Sequence, residues 1–308
     1  MIKASIQTFV VRNPFWQPLF IYLYKIFWLL KTIFRINKYK CNDDILFIVG
    51  SGRSGNTLLR KILMEKFSLY IPPETYILGD VISTDILING FSWKQRVDFL
   101  LSRLQFHPEF ETFQLNNLNE FSTIAKKWDS CDQSIGKLYL ELYRWLGNKK
   151  DIKFEVVGDK TPFNTMSLGL IKRVWPNAKY IFLERDPYDV CSSYVKARIY
   201  ETVREAATRW LTSKVAWSNH KKGLKSQNYI EVTYEYLVSN PEIFLDNVYS
   251  KFDFKLRDEK LNIVRDLGDV NLREHHSNVN NPISRDSIGK GKAALSEQEK
   301  KVISNIIN

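Results

Sequence analysis

A chain of 308 residues with 44% hydrophobic and 14% aromatic content carries enough apolar material for a packed core, which excludes a disordered or fibrous protein. Its formal net charge of +11 fits either a basic solvated surface in a Lys- and Asn-rich chain or, more sharply, an anionic ligand or an anionic membrane surface, and without a Lys/Arg block interleaved with aromatics nucleic acid is not expected. Cys41, Cys131 and Cys191 are widely spaced and the four histidines show no H-x-x-x-H pair, so neither a disulfide framework nor a metal pattern is present and a reducing compartment is expected.

In chain order, residues 1–42 stand apart. The segment Phe15 to Ile36 is strongly apolar, yet Lys25 and Lys31 interrupt it. A spanning helix wants roughly 20 nearly uncharged residues, and a lysine at mid-membrane costs about 2.5–3.5 kcal/mol. Phe15, Trp16, Tyr22, Tyr24, Phe27 and Trp28 suit a membrane–water interface, while Arg35, Lys38 and Lys40 suit anionic headgroups. The preferred reading is a helix lying on the membrane, ahead of a spanning anchor and then of a core helix. If it spans, the positive charge that follows it leaves the main domain in the cytosol. No small-residue cleavage site follows the apolar run, so a cleavable signal peptide is not expected. The main domain, 43–308, is expected in the cytoplasm or on the cytoplasmic face of a membrane.

That domain opens with Ile45–Val49, which has the length and branching of a short buried strand. Gly50-Ser51-Gly52-Arg53-Ser54-Gly55-Asn56-Thr57 follows, and then a helical pattern through Leu58, Leu59, Ile62, Leu63 and Phe67. Strand, glycine-rich turn and helix N-terminus together make an anion cradle, because free backbone N–H groups and the helix dipole both favour negative charge. Set against the template G-x-x-x-x-G-K-[ST], only the lysine is missing, replaced by Asn56. That lysine serves the β- and γ-phosphates of nucleoside triphosphates, so its absence argues against a kinase or NTPase. The bland alternative is a tight turn that merely needs glycines.

Ser68–Ile71 reads as a second short strand, ended by Pro72-Pro73, and Glu74-Thr75 is expected to open a helix. Residues 76–150 read as a helical insertion with helices over 93–104, 120–127 and 135–146. Strand signals return at 154–157, 180–183 and 229–232, each followed by a helix, at 165–175, 188–198 and 241–252. Alternating strands and helices imply parallel pairing, with ligands outside the carboxyl ends of the strands.

The residues after each strand are therefore the informative ones. Lys160, in Gly158-Asp159-Lys160-Thr161-Pro162, is placed to meet anionic oxygens; alternatively this is a capping turn with Asp159 as the cap. Arg185 ends the next strand and can hold a phosphate bidentately, with Ser193 two helical turns further on. Tyr234 is placed to face a base or a phosphate, or to fill the core. Near the C-terminus Arg285, Lys290 and Lys292 lie in a polar glycine-containing stretch able to close over an anion, or merely solvated. Ser296 with Glu299 forms a capping box for a final helix.

Taken together, these pieces resemble the sulfotransferase family that uses 3′-phosphoadenosine 5′-phosphosulfate (PAPS). Gly50–Thr57 resembles its 5′-phosphosulfate loop, YIFLERDPYDVCSSY (180–194) its 3′-phosphate motif, VTYEYLVSNP (232–241) its Tyr-Glu segment, and 281–295 its C-terminal loop. The resemblance implies an α/β fold with a central parallel sheet flanked by helices, a P-loop-like sulfotransferase fold with a helical insertion. It is nearer the tyrosylprotein, heparan and bacterial types, because no histidine follows Lys160 and Pro72-Pro73-Glu74-Thr75 supplies a glutamate after the cradle helix. Gly52 stands where proline is usual and Asn56 where threonine is usual.

On this resemblance, Glu74, Lys160 and Arg53 are implied as catalytic. Gly52, Arg53, Ser54, Gly55, Asn56, Thr57, Arg185, Ser193, Tyr234, Arg285, Lys290 and Lys292 are implied to hold the PAPS co-substrate, with no metal. Glu74 is to deprotonate the acceptor; a solvated glutamate titrates near about 4.3 and is a weak base, so an apolar setting is expected around it. The acceptor is a hydroxyl or amine on a glycan, lipid or protein, with residues 15–36 and 76–150 building its pocket and 15–36 touching a membrane surface. The rival readings are a P-loop kinase or NTPase, and a non-catalytic, membrane-associated nucleotide-binding protein.

Overall fold

The computed structural model describes Cys41, residues 43–258 and residues 283–308, with Tyr22 and Ile26 besides. Apart from those two residues, the apolar segment 15–36 lies outside the described residues, as does part of the C-terminal stretch 271–292. Among the described residues no helix is long and apolar enough to cross a membrane.

Strand β1 (Ile45–Gly50) leads through the glycine-rich turn into α1 (Asn56–Lys66), and β2 (Leu69–Tyr70) follows. The insertion is built from α2 (Leu78–Leu87), α3 (Trp93–Gln105), α4 (Asn119–Ala125) and α5 (Ile135–Lys149). Then come β3 (Val156–Lys160), α6 (Leu168–Val174), β4 (Lys179–Glu184), α7 (Pro187–Lys196), α8 (Val203–Lys221) and β5 (Tyr229–Thr233). Helices α9 (Tyr234–Ser239) and α10 (Pro241–Phe252) follow, and α11 (Lys290–Ala294) and α12 (Glu297–Ile307) close the chain. The Ser296–Glu299 capping box opens α12.

The strands form one parallel sheet in the order β2-β3-β1-β4-β5. All six residues of β1 are buried, as a central strand covered by helices on both faces requires. The chain leaves β1 toward β2 and β3 on one side, and leaves β4 toward β5 on the other. The carboxyl ends of β1 and β4 thus border the switch point where open α/β sheets bind ligands.

The structure corrects several expectations. Strand β3 runs to Lys160, so Gly158, Asp159 and Lys160 lie within it, and Asp159 caps no helix. The sequence hides this because the strand end is polar yet buried, its side chains satisfied by partners remote in sequence. Glu74 and Thr75 lie in a loop, and α2 begins only at Leu78; the Thr75 N–H is held by Thr161 Oγ1 at 3.1 Å. A short 3-10 turn, Pro162–Ser167, replaces the first part of the helix expected from 165. Helix α8 was not anticipated from the sequence. Its inward stripe of Val203, Ala206, Ala207, Trp210, Ser213 and Trp217 has helical spacing, but small and polar members weaken the signal.

Candidate active site

The turn after β1 is strained and braced. Arg53 has φ 65° and Gly55 φ 97°, left-handed conformations that a non-glycine residue such as Arg53 rarely adopts. Thr165 Oγ1 both accepts from Gly50 N (2.9 Å) and donates to Gly50 O (3.0 Å), pinning the start of the turn. The Asn56 amide donates to Ser51 O at 2.8 Å, bracing the turn from within. Gly52 packs beneath Tyr194, whose hydroxyl lies 2.6 Å from where a Cβ would sit. That contact gives a physical reason for glycine where the resemblance has proline.

Three cations meet at the ends of β3, β1 and β4. Lys160, only 1% exposed at the end of β3, donates to Thr57 Oγ1 at 3.3 Å and forms a short ion pair with Glu74. Arg53 reaches across the turn, and its Nε donates to Ser193 Oγ on α7 at 3.1 Å. Burial first, and then the neighbouring Arg185 charge, hold the Arg53 guanidinium below its ordinary value, against the opposite pull of Tyr194 and Glu74. Arg185 lies over the Tyr234 ring, 4.3 Å from its centroid, and donates to Ser287 O at 2.6 Å. The Tyr234 ring in turn packs against Gly55. The structure therefore brings Arg53, Ser54, Gly55, Asn56, Thr57, Glu74, Lys160, Arg185, Ser193 and Tyr234 together around one sheet end.

Other expected members are placed differently. Arg285 is exposed and donates to Ser239 O at 3.2 Å, while Lys290 is exposed. The Lys292 ammonium lies over the Tyr188 ring at 5.1 Å. Glu74, expected in an apolar setting, is instead paired with an ammonium.

Sequence reasoning missed a second layer beneath this end of β3. The buried Asp159 carboxylate accepts from Tyr143 OH (2.5 Å), Thr75 Oγ1 (3.1 Å) and Asn164 Nδ2 (2.9 Å). Burial raises its pKa above the ordinary carboxylate value, although Tyr143, Thr161 and Thr75 partly offset that by hydrogen bonding. No local pattern marks Tyr143 or Asn164 as partners, since they come from α5 and from the turn after β3. Asp186, by contrast, is legible as a cap before Pro187, and accepts from Tyr188 N and Asp189 N.

A profile of the sulfotransferase family matches residues 45–258, more than half of the chain. The chain belongs to the sulfotransferase family. Protein-tyrosine sulfotransferase A of Caenorhabditis elegans is 21% identical over 269 residues, which cover 84% of this chain and 64% of that protein. The chain thus spans less than two thirds of that curated relative. The sulfotransferase domain from the curacin biosynthetic pathway has a TM-score of 0.55 at 22% identity, covering 85% of this chain and 96% of the other. The sulfotransferase domain of the Synechococcus PCC 7002 olefin synthase has a TM-score of 0.52 at 22% identity, covering 87% and 96%. The parallel sheet of this sulfotransferase-family chain is therefore the fold of those two domains.

Three buried polar atoms at the sheet end have no partner among the described residues: Ser54 Oγ, Asn56 Oδ1 and Arg185 Nε. An unsatisfied buried polar group costs about 1–3 kcal/mol, so hydroxyl, amide and guanidinium here suit a polar ligand. Ser54 Oγ and Arg185 Nε can donate to an anion's oxygens, whereas Asn56 Oδ1 can only accept, from a proton donor of the ligand or a water.

Proposed function

We propose that this chain transfers a sulfuryl group from PAPS to a hydroxyl or amine of an acceptor. The observation that carries the reading is the meeting of Arg53, Lys160 and Arg185 at the ends of three adjacent strands, beside a turn shaped to hold an anion. When bound, PAPS supplies the sulfuryl group and departs as adenosine 3′,5′-bisphosphate. The turn amides, Ser54, Thr57 and Lys160 hold the 5′ end; Arg185 and Ser193, with Arg53 between the two ends, hold the 3′-phosphate. Tyr234 fixes the plane of Arg185 from below.

Lys160 presents fixed positive charge where negative charge grows, the preorganised electrostatics that generally lower such barriers most. It also holds the Glu74 carboxylate at the mouth of the site, where Glu74 takes the acceptor's proton. The cationic side chains take the part that a metal plays in other group-transfer sites, and the reading calls for none.

The acceptor belongs to a glycan, lipid or protein, and the protein-tyrosine enzyme among the relatives favours protein. Residues 43–308 form the catalytic domain, and residues 15–36 rest on the cytoplasmic face of a membrane. A kinase or NTPase is disfavoured by Asn56, whose amide is turned inward to Ser51 rather than outward as a cation.

Thermal shift with the bisphosphate, with PAPS and with ATP plus Mg²⁺, followed by transfer of labelled sulfate to cell fractions, tests the proposal. Stabilisation by the first two and label transfer are expected. Stabilisation by ATP alone would overturn it, and bisphosphate binding without any transfer would leave a binding protein.

A further inference from the structure

The C-terminal basic segment is held to the rest of the chain through one buried carboxylate that the proposed reaction does not use. Asp189, in the first turn of α7, is 2% exposed. Its Oδ2 accepts from Gly289 N at 2.8 Å and its Oδ1 from Lys292 N at 3.0 Å. Arg185 Nη2 lies 3.6 Å from the same carboxylate and donates to Ser287 O in the same segment. Gly291 lies so close that a Cβ there would come 2.6 Å from Asp189 Cα. Leu295, just beyond, is buried in a cluster with Val190, Cys191 and Tyr194 of α7.

A buried carboxylate is costly unless it is paired and hydrogen-bonded. Here the compensation comes from two backbone amides of the segment and from a guanidinium of the nucleotide site. Removing the segment would therefore strip the carboxylate of two of its partners. The contacts lie within the chain, so the segment can dock before any ligand arrives. Arg185 contacts Asp189, Ser287 and Tyr234 together, so its position depends on the segment being seated.

We propose that Asp189 is a latch and positioning residue: it seats residues 285–295 against α7 without nucleotide and thereby orients Arg185 to receive the 3′-phosphate of the anionic nucleotide. The inference rests on the functional reading above only for the identity of that nucleotide. The segment is then a preformed wall of the site, fastened by its backbone, whereas the Lys290 and Lys292 side chains remain outside the latch. Preorganisation of this kind raises affinity by lowering the ordering cost of binding.

The test uses the full chain and two variants, Asp189→Asn and Gly291→Ala, the second unseating the segment from its own side should the first fail to fold. Hydrogen exchange of residues 285–295 is measured without nucleotide, and adenosine 3′,5′-bisphosphate binding by calorimetry. In the wild type the Gly289 and Lys292 amides should be protected without ligand. Either variant should exchange there at least tenfold faster, with α5 and β4 unchanged. Bisphosphate affinity should fall about tenfold, and in turnover the KM for PAPS should rise while kcat at saturation stays within about twofold. Equal exchange in variant and wild type would overturn the latch, and faster exchange with undiminished affinity would overturn its role in orienting Arg185. A wild type that bound no bisphosphate would sink the nucleotide reading, and the exchange result would then judge the latch by itself.

Discussion

Arg53 Nε donates to Ser193 Oγ across 3.1 Å, joining the turn after β1 to the helix after β4. The two residues are 140 positions apart in sequence, and the bond crosses the switch point of the sheet. One arginine thus links the two places where the proposed nucleotide would present its anionic ends.

Lys160→Ala should depress turnover far more than nucleotide affinity. The ammonium is buried between Thr57 and Glu74, and loss of one preorganised transition-state donor costs about 10²–10³ in kcat. Steady-state kinetics with calorimetric bisphosphate binding checks this. A large loss of affinity with kcat preserved would contradict it.

Glu74→Gln should nearly abolish transfer while bisphosphate binding stays within about threefold of the wild type, an energy change below about 1 kcal/mol. The glutamine keeps an oxygen for Lys160 but cannot accept the acceptor's proton as a carboxylate does. Retained turnover would make Glu74 a partner for Lys160 and nothing more.

Arg185→Ala should weaken bisphosphate at least tenfold, about 1.4 kcal/mol, and lessen the salt dependence of binding. The Tyr234 ring would lose the guanidinium that lies on it. Titrations at two ionic strengths provide the check, and unchanged affinity would remove Arg185 from the site.

Tyr143→Phe should destabilise the fold by about 1–3 kcal/mol, because Asp159 loses its shortest donor while remaining buried. Urea denaturation measures it. A variant as stable as the wild type would show that Thr75 and Asn164 satisfy the carboxylate without help.

His220 packs edge-on against Tyr180 with ring centroids 5.0 Å apart. Burial, with Lys172 adding to it, pushes its pKa from 6.5 down to about 4. The unfolded chain takes up the proton near the ordinary value, while the folded protein resists until about 4. The stability this group contributes is therefore complete above pH 6.5 and declines as pH falls from 6.5 toward 4. Urea midpoints should fall over that window in the wild type, and His220→Leu should flatten the fall. Equal slopes in both proteins would count against it.

How much of this was legible beforehand depends on how far apart the interacting residues lie. The cradle was readable because its parts are consecutive: an apolar strand, glycines and a helical stripe over 45–67. The end of β3 was misread because Asp159 and Lys160 are polar, and only remote partners allow them to be buried. The same holds for α8, whose stripe of alanine, serine and tryptophan becomes an inward face only once α7 and the sheet lie against it.

By itself the sequence determined the alternation of strands and helices and the glycine-rich turn between β1 and its helix, since periodicity and turn chemistry act over a few residues. The tertiary structure alone decided that Arg53 would meet Ser193, that Lys160 would hold Glu74, and that Asp189 would fasten the C-terminal segment. Those contacts join residues 86 to 140 positions apart. The order of strands in the sheet brings them together, and pairing over such distances leaves no local trace.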